Sequence, residues 1–354
     1  MKQYGILFLA CAAAFMAVPS QAKNLKWVDG ADLTLINKTI ETPRRYARVD
    51  TTRYDGFTDY QRRELVQHSA GLALAFRTDS RTINVRPVFE LHKPTVNQTA
   101  INTEGFDLYI KKDGQWLWAG NDVASRRTGI GKLVADMDSG EKECIIYLPN
   151  FSIVDTVYVG VDSASHIEAM PNPFRRKVVF HGSSFTHGTC APRPGMSYPS
   201  QFERATGIQV CNMGMSGNAK LQQSYARVLA DTEADAFVFD TFSNPSAKEI
   251  DENFDAFVAT IRAKHPTTPL IFMQTIYREN RNFNKRIDAF EAEKMKMAEK
   301  KVRAAMAKDP NIYWIEPTTG RGHETSVDGV HPGGDGYTAW MESIRRPLMR
   351  ILGL

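Results

Sequence analysis

The chain divides into two regions that differ in their pattern of hydrophobic and polar residues. Over residues 70–170, short apolar or alternating runs of strand length follow one another, with turn residues between them. In GFDLYIKKDGQWLWAG, Asp113-Gly114 separates two aromatic-rich runs, which is typical of a β-hairpin. Many short strands with almost no helical periodicity predict an all-β sandwich of the jelly-roll kind.

The second region follows the proline-punctuated stretch MPNPFRRK at 170–177. Here apolar runs alternate with amphipathic helical stretches, and the long charged run over 286–308 is typical of a solvated helix. Strands are predicted at KVVFHG, IQVCNMG, AFVFDTF, PLIFMQTI and NIYWIEP. Strands that are apolar on both faces and alternate with helices predict a parallel sheet covered on both sides, which is an α/β fold with three layers.

The stretch before residue 70 is less regular. Residues 23–60 are polar and follow neither period, so we predict an irregular arm that wraps around the rest. The change of pattern at the prolines marks a joint, and we predict a β-sandwich domain over 23–170 and an α/β domain over 175–354. The length of 354 residues agrees with two domains, because it exceeds what one compact domain usually holds.

The first residues, MKQYGILFLACAAAFMAVPSQAK, have the pattern of a signal peptide. Lys2 precedes an apolar stretch, and Ser20-Gln21-Ala22 is a small-x-small cleavage site. This predicts a signal peptide over 1–22 and an exported protein, periplasmic or secreted. The apolar stretch is too short to predict a membrane span. Lipoprotein processing at Cys11 is an alternative interpretation.

Charge and cysteine content narrow the function classes. The net charge is +4, without a Lys/Arg stripe interleaved with aromatic residues, which argues against nucleic acid as the partner. Three cysteines follow the signal peptide: Cys144, Cys190 and Cys211. Whether Cys190 pairs with Cys211 or all three are buried thiols stays open, as does the oligomeric state. No spacing predicts a metal site.

Two serines stand where the first strand of the α/β region ends, in VVFHGSSFTHGTCAPRPG. Ser183 and Ser184 could present a nucleophile or only cap the next helix. Near the C-terminus, in SVDGVHPGGDGY, Asp328 precedes His331 by three residues. In a tight turn this spacing lets a carboxylate hold Nδ1 of the imidazole, so that Nε2 can take a proton from a serine hydroxyl.

An acyl-transfer site also needs donors for the oxyanion that develops on the attacked carbonyl. Gly217, in NMGMSGN, offers a backbone N–H that no side chain shields, and Asn244, in DTFSNPS, offers a side-chain NH₂. Both follow predicted strands, as Ser184 does. Because sites in parallel sheets lie beyond the carboxyl ends of the strands, we expect these residues to converge on one edge.

These motifs resemble the SGNH hydrolases, also called GDSL esterases. GSSFTHG is similar to the nucleophile block, with Gly-Ser-Ser in place of the usual Gly-Asp-Ser; NMGMSGN and FSNPS resemble the glycine and asparagine blocks, and DGVHP resembles the last block. The resemblance covers about 175–354 and implies a flavodoxin-like α/β/α domain. It implies Ser184 as nucleophile, Asp328 and His331 as its triad partners, and Ser184, Gly217 and Asn244 as oxyanion donors.

The first region adds to this resemblance. GFDLY is similar to the Gly-x-Asp-Leu-Tyr signature of β-sandwich domains that precede some SGNH esterases. With GTCAPRPG after the nucleophile block, it resembles a bacterial branch of exported carbohydrate esterases that remove acetyl groups from polysaccharides. That resemblance implies a serine esterase acting on an acetylated carbohydrate or another ester, with neither a metal nor an organic cofactor.

Several alternatives remain open at this stage. The Gly-Ser-Ser sequence leaves either Ser183 or Ser184 as the attacking residue. For substrate binding we name His187, and Arg193, which either positions its loop or binds a sugar or a carboxylate. The rival hypotheses are a lipid esterase or thioesterase with the same site, and a glycan-binding protein whose hydrolase domain is inactive.

Overall fold

The computed structural model describes residues 24–92, 95–124, 126–320 and 322–354. The predicted signal peptide and Cys11 lie outside the described residues. The first half of the described chain builds two antiparallel sheets, with strand orders β1-β9-β4-β7 and β10-β3-β8-β5-β6, and β2 pairs with β3. Their strands are β1 (Leu25–Asp29), β2 (Thr34–Ile36), β3 (Ala73–Thr78), β4 (Ile83–His92), β5 (Phe106–Lys112), β6 (Gln115–Asp122), β7 (Gly131–Val134), β8 (Lys142–Tyr147), β9 (Ser152–Asp162) and β10 (Ile167–Ala169).

The two sheets pack face to face and form the predicted sandwich. The alternation of apolar and polar residues along the strands explains this packing. Inward residues of both sheets, among them Leu74, Val85, Leu108 and Val159, form one buried cluster. The predicted hairpin joins β5 to β6 through Asp113 and Gly114, which both have positive φ as the tight turn requires. The expected irregular arm is wrong in part, because β1 and β2 lie within it and pair with β9 and β3.

The second half is the predicted three-layer α/β domain. Its parallel sheet has the order β12-β11-β13-β14-β15. The strands are β11 (Arg175–Gly182), β12 (Ile208–Gly214), β13 (Ala236–Asp240), β14 (Leu270–Met273) and β15 (Ile312–Ile315). The α-helices of the described residues are α1 (Asp59–Arg63) and α2 (Ala100–Glu104) in the first half, then α3 (Ser184–His187), α4 (Tyr198–Thr206), α5 (Gln223–Ala230), α6 (Ala247–Arg262), α7 (Lys285–Met306) and α8 (Gly334–Ile351).

Helices cover both faces of this sheet, which is why its strands are apolar on both sides. One face packs on α4 and α8 through residues such as Phe202 and Trp340, and the other on α5, α6 and α7 through residues such as Phe254 and Val302. Gly207 ends α4 in the left-handed conformation, as its place in the sequence predicts. Since all strands run in one direction, their carboxyl ends lie at one edge of the sheet.

The division between the hydrophobic cores of the two domains does not follow the domain boundary predicted at residues 170–175. The segment 49–66 precedes the strand β3 of the sandwich, yet it contributes five buried apolar side chains to the core of the α/β domain. They are Val49, Tyr54, Phe57, Leu65 and Val66. The predicted wrapping arm therefore contributes to the core of the second domain.

Arg48, just before this segment, ties the two domains together. Its guanidinium is buried and donates hydrogen bonds to four backbone carbonyls. Two of these carbonyls follow Arg48 in the first half of the chain, at Leu65 (2.6 Å) and His68 (2.8 Å). The other two belong to β12, at Asn212 (3.2 Å) and Gly214 (2.8 Å). A buried guanidinium is stable here because carbonyl oxygens surround it.

Two further findings concern cysteines and membranes. Within the described residues, Cys144, Cys190 and Cys211 are free, buried thiols, so Cys190 and Cys211 do not pair. None of the helices in the described ranges combines the length and the apolar character that crossing a bilayer requires.

Candidate active site

The two serines occupy the sharp turn from β11 into α3. The strand ends at Gly182, Ser183 caps the helix, and Ser184 is its first residue. Gly182 is required here, because a Cβ atom would lie 2.3 Å from Oγ1 of Thr186 and 2.7 Å from Cβ of Asp240. The turn therefore places Ser184 at the carboxyl edge of the sheet, where the sequence analysis expects the site.

The hydroxyl groups of the two serines have different partners. Ser183 Oγ donates to Asp240 Oδ2 (2.7 Å) and accepts from the backbone N–H of Phe185 (3.2 Å). Ser184 Oγ lies 2.8 Å from Nε2 of His331. Ser183 bonds a buried carboxylate and Ser184 bonds an imidazole, the usual general base of a serine nucleophile, and this favours Ser184 over Ser183 as the nucleophile.

Asp328 and His331 meet in a tight turn before α8. Asp328 Oδ1 accepts from the backbone N–H groups of Val330 (3.0 Å) and His331 (2.8 Å), and Oδ2 lies 2.8 Å from His331 Nδ1. A carboxylate only accepts hydrogen bonds, so Nδ1 carries the proton and Nε2 is left to accept from Ser184. Burial opposes ionisation of Asp328, but these hydrogen bonds outweigh it and hold the pKa of Asp328 well below its usual range.

The two predicted oxyanion donors lie on neighbouring loops. Gly217 is exposed in the loop after β12, has φ of 70°, and has open space where a Cβ would stand. Asn244 follows β13, and its Oδ1 accepts from the backbone N–H of Ala219 (3.1 Å). This bond links the two loops and assigns the oxygen, so the NH₂ group of Asn244 is directed away from Ala219.

The structure places His187 and Arg193 in the domain interface. His187 is fully buried, stacks on Phe151 with ring centroids 4.2 Å apart, and has Nε2 2.8 Å from the carbonyl of Asn150. Burial lowers the pKa of His187 well below its usual value. We therefore no longer propose that it touches substrate, because the ring is enclosed by the sandwich.

Arg193 is held by the Gly-x-Asp-Leu-Tyr signature. Its guanidinium donates to Asp107 Oδ2 (2.7 Å) and to the hydroxyl of Tyr109, and Asp107 Oδ2 also accepts from the backbone N–H of Gly195 (2.9 Å). Of the two roles considered for Arg193, these contacts support the positioning of its own loop. The signature residues act on the loop that follows the nucleophile.

Asp240 was missed by the sequence analysis. This buried carboxylate accepts from Ser183 and also from Thr186 (3.1 Å) and Ser243 (2.9 Å), so it fixes the nucleophile turn. Burial raises the pKa of Asp240, although the serine and threonine donors oppose that shift. A carboxylate on the adjacent strand β13 thus bonds the residue that stands at the Asp position of Gly-Asp-Ser. An acidic residue at the end of the apolar run AFVFD was its signal.

A buried network of ion pairs bonds the backbone of the loop that carries Asn244. The carbonyl of Ser243 accepts from Arg278 Nη2 (2.6 Å) and from Lys294 Nζ (3.3 Å), and Glu291 pairs with both cations at 3.0 and 2.6 Å. Burial and the neighbouring Arg278 lower the pKa of Lys294 to about 8. Because the network fixes the carbonyl just before Asn244, it restricts where that side chain can lie.

Metal-binding residue types also occur at the site. Sγ of Cys190 and atoms of Asp328 and His331 lie within 4.8 Å of one another. Burial and the charge of Asp328 raise the pKa of the Cys190 thiol to about 12. Since metals bind the thiolate, and Asp328 and His331 are bonded to each other, the group fits a hydrogen-bonded cluster better than a metal site.

Two family models match the chain, and together they span most of it. Residues 175–349 match the GDSL-like lipase/acylhydrolase family, and residues 25–167 match the N-terminal GxDLY domain of SGNH-hydrolase-type esterases. A search of curated proteins gave no match.

Solved structures give the same fold over nearly the whole chain. A GDSL-like lipase from Bacteroides ovatus is 36% identical, with a TM-score of 0.90 over 93% of this chain and 98% of its own. A salicylyl-acyltransferase from a tetracycline biosynthetic pathway (21%, TM-score 0.68) and a family two carbohydrate esterase from Cellvibrio japonicus (13%, TM-score 0.55) share the fold over the same fractions. The chain therefore belongs to the GDSL-like, or SGNH, esterases and acylhydrolases, in the branch that has an N-terminal GxDLY domain.

Proposed function

We propose that the protein is an exported serine esterase that removes acyl groups, above all acetyl groups, from carbohydrates. The observation that carries this proposal is the continuous chain of hydrogen bonds from Ser184 through His331 to Asp328, at 2.8 Å each. A serine hydroxyl is a weak nucleophile without such a base, and nothing in a purely structural role requires this geometry at a sheet edge.

The proposed reaction has two halves, acylation and deacylation of Ser184, and the same residues act in both. Ser184 Oγ attacks the ester carbonyl while its proton passes to Nε2 of His331, and Asp328 stabilises the imidazolium. The backbone N–H groups of Ser184 and Gly217 and the NH₂ of Asn244 hold the oxyanion. Collapse of the tetrahedral intermediate expels the alcohol with the proton from His331, and water then releases the acid from Ser184 by the same steps.

The substrate class is supported by the resemblance and by the fold. Carbohydrate esterases are among the structures that share this two-domain fold, and the loop after Ser184, THGTCAPRPG, is polar. The proposal of export depends on the sequence of residues 1–22 alone. Amino-terminal sequencing of the protein recovered from a bacterial periplasm would test it, with Lys23 expected as the first residue.

The esterase proposal is tested by comparing neighbouring serines. Ser184→Ala is expected to abolish acetate release from acetylated polysaccharides and hydrolysis of p-nitrophenyl acetate, whereas Ser183→Ala should keep measurable activity. A fluorophosphonate, which labels activated serines, should modify Ser184 in the wild-type protein, and mass spectrometry would locate the label. Wild-type protein that is folded but inactive and unlabelled would favour the glycan-binding hypothesis instead.

One observation favours an ester with a larger apolar acyl group. Three exposed apolar side chains stand near the triad: Val327 beside Asp328, and Tyr277 and Phe283 in the loop whose Asn280 N–H bonds the carbonyl of Gly329 (2.9 Å). Phe283 is fully exposed. Hydrolysis rates on a series of p-nitrophenyl esters would distinguish the two substrate classes. Rates that fall from acetate to octanoate support the carbohydrate acetylesterase, and rates that rise support a lipid esterase.

A further inference from the structure

The sandwich domain reaches the triad itself. Between β4 and α2, the segment 95–99 lies against the turn that carries Asp328. Asn97 Nδ2 donates to Asp328 Oδ2 at 2.7 Å, the same oxygen that faces His331 Nδ1. With the two backbone donors on Oδ1, this contact completes a set of four nitrogen donors around the carboxylate, and Cys190 Sγ lies 3.9 Å from Oδ2 as well.

Asn97 is held in place by several contacts. Cys190 Sγ donates to the carbonyl of Asn97 (3.0 Å), and Thr99 Oγ1 donates to the carbonyl of Pro192 (2.9 Å). Gln98 Oε1 accepts from Asn102 Nδ2 (2.7 Å). The segment is thus anchored both to the sandwich and to the loop behind the nucleophile, so the amide of Asn97 has a defined direction.

We infer that Asn97 is a positioning residue for the triad, by which the sandwich domain holds Asp328 in the orientation that supports His331. The inference rests on the proposed esterase function. The side chain of Asn97 bonds Asp328 Oδ2, one step removed from the proton that His331 takes from Ser184. It acts through Asp328, by fixing the carboxylate plane and by taking part of the negative charge on Oδ2.

The withdrawal of charge from Oδ2 should change the protonation of His331 in a direction that a merely structural contact would not produce. A donor on Oδ2 weakens the attraction of that oxygen for the imidazolium. Without Asn97, Oδ2 carries more of its charge toward Nδ1, so protonated His331 is favoured. The acid limb of the pH–rate profile should therefore move to higher pH when the donor is removed.

The central test is Asn97→Ala in the full-length protein. We expect kcat on p-nitrophenyl acetate to fall about tenfold with little change in KM, because Asp328 loses the donor that fixes its carboxylate plane and misplaced catalytic groups lower the rate of the chemical step. The acid limb of kcat/KM should shift upward. Asn97→Asp, which has the same shape but sets a second carboxylate against Asp328, should lose more activity than Asn97→Ala.

Two matched variants of the same segment separate the donor from the anchor. Gln98→Ala loosens the segment without removing the bond to Asp328, so it should lower the unfolding temperature and leave the acid limb in place. Thr95→Ala alters an exposed side chain and should match the wild type. An Asn97→Ala variant with wild-type kcat and acid limb would overturn the inference, as would one that behaves only like Gln98→Ala.

An activity-independent measurement keeps this inference distinct from the proposed function. NMR titration of the His331 ring should give a higher midpoint in Asn97→Ala than in the wild type, and an unchanged midpoint would overturn the inference. If wild-type protein hydrolyses no ester, the proposed function fails, and the ring titration still decides whether Asn97 tunes His331.

Discussion

The two domains approach the active site in different ways. The α/β domain provides the side chains that we propose for the chemistry, at the carboxyl edge of one parallel sheet. The sandwich provides hydrogen bonds to the loops that carry them: Asn102 Nδ2 donates to the carbonyl of Gly188 (2.9 Å), and Asp107 accepts from the N–H of Gly195 (2.9 Å). The groups that react and the contacts that orient them can therefore come from separate domains.

The largest expected effect is on the α/β side. Asp328→Ala should lower kcat by about 10⁴-fold, because His331 loses the group that fixes its tautomer and stabilises its charge. Steady-state kinetics on p-nitrophenyl acetate would measure this, with circular dichroism to show that the fold is kept. A loss of less than about tenfold would mean that Asp328 has only a structural role.

Removal of a donor should cost less. Asn244→Ala is expected to lower kcat by about 10²–10³-fold with KM nearly unchanged, because the donor acts on charge that develops only in the transition state. Ser246→Ala is the matched control on the same loop. Ser246 caps α6, so its loss should lower the free energy of unfolding by about 1 kcal/mol and leave kcat unchanged. Equal kcat losses in both variants would point to loop disorder instead.

On the sandwich side we expect the main effect to be on stability. Asp107→Asn leaves the guanidinium of Arg193 without its buried partner and should lower the free energy of unfolding by about 3 kcal/mol, with a smaller effect on kcat. Glu143→Gln, at a more exposed carboxylate that pairs with Arg77 and Lys111 in the same sheet, should cost less than about 1 kcal/mol. Urea denaturation of both variants would show whether the signature holds the loop, and equal costs would contradict that role.

The smallest expected effect concerns pH and the interface. Glu203 is buried between the domains, where Asn37 (3.0 Å) and Tyr147 (2.6 Å) donate to its Oε2, and burial raises its pKa to about 7. The folded protein therefore keeps a proton that the unfolded chain releases near pH 4.5. This group stabilises the fold less and less as pH rises from about 4.5 to about 7, by roughly 1–3 kcal/mol in total.

Glu203→Gln, which cannot ionise, tests that expectation. The difference between the unfolding free energies at pH 5 and pH 8 should be smaller in this variant than in the wild type. An identical difference in both proteins would show that Glu203 does not titrate in this window.

The sequence predicted those features that local pattern determines. The hydrophobic periods predicted the two fold types, and the turn residues predicted the hairpin at Asp113-Gly114. The proposed triad and oxyanion donors could be named from the sequence because each stands in a short motif. By contrast, Asn97 and Asp240 act through contacts between segments far apart in the chain. The acidic end of the run AFVFD marks Asp240 as unusual but does not show that it bonds Ser183, and no local pattern marks Asn97. The burial of His187 also depends on a distant segment, since its ring stacks on Phe151 of the sandwich.

The buried guanidinium of Arg48 has a consequence for how such chains can be recombined. Its acceptors lie on an early segment and on β12, so neither half satisfies its polar groups alone. A chimera that exchanges residues 24–170 for the sandwich of a relative would need an arginine at the equivalent place and carbonyls arranged to receive it. A recombinant protein joined between residues 170 and 175 is therefore expected to lose stability unless Arg48 and its four carbonyl acceptors are kept together.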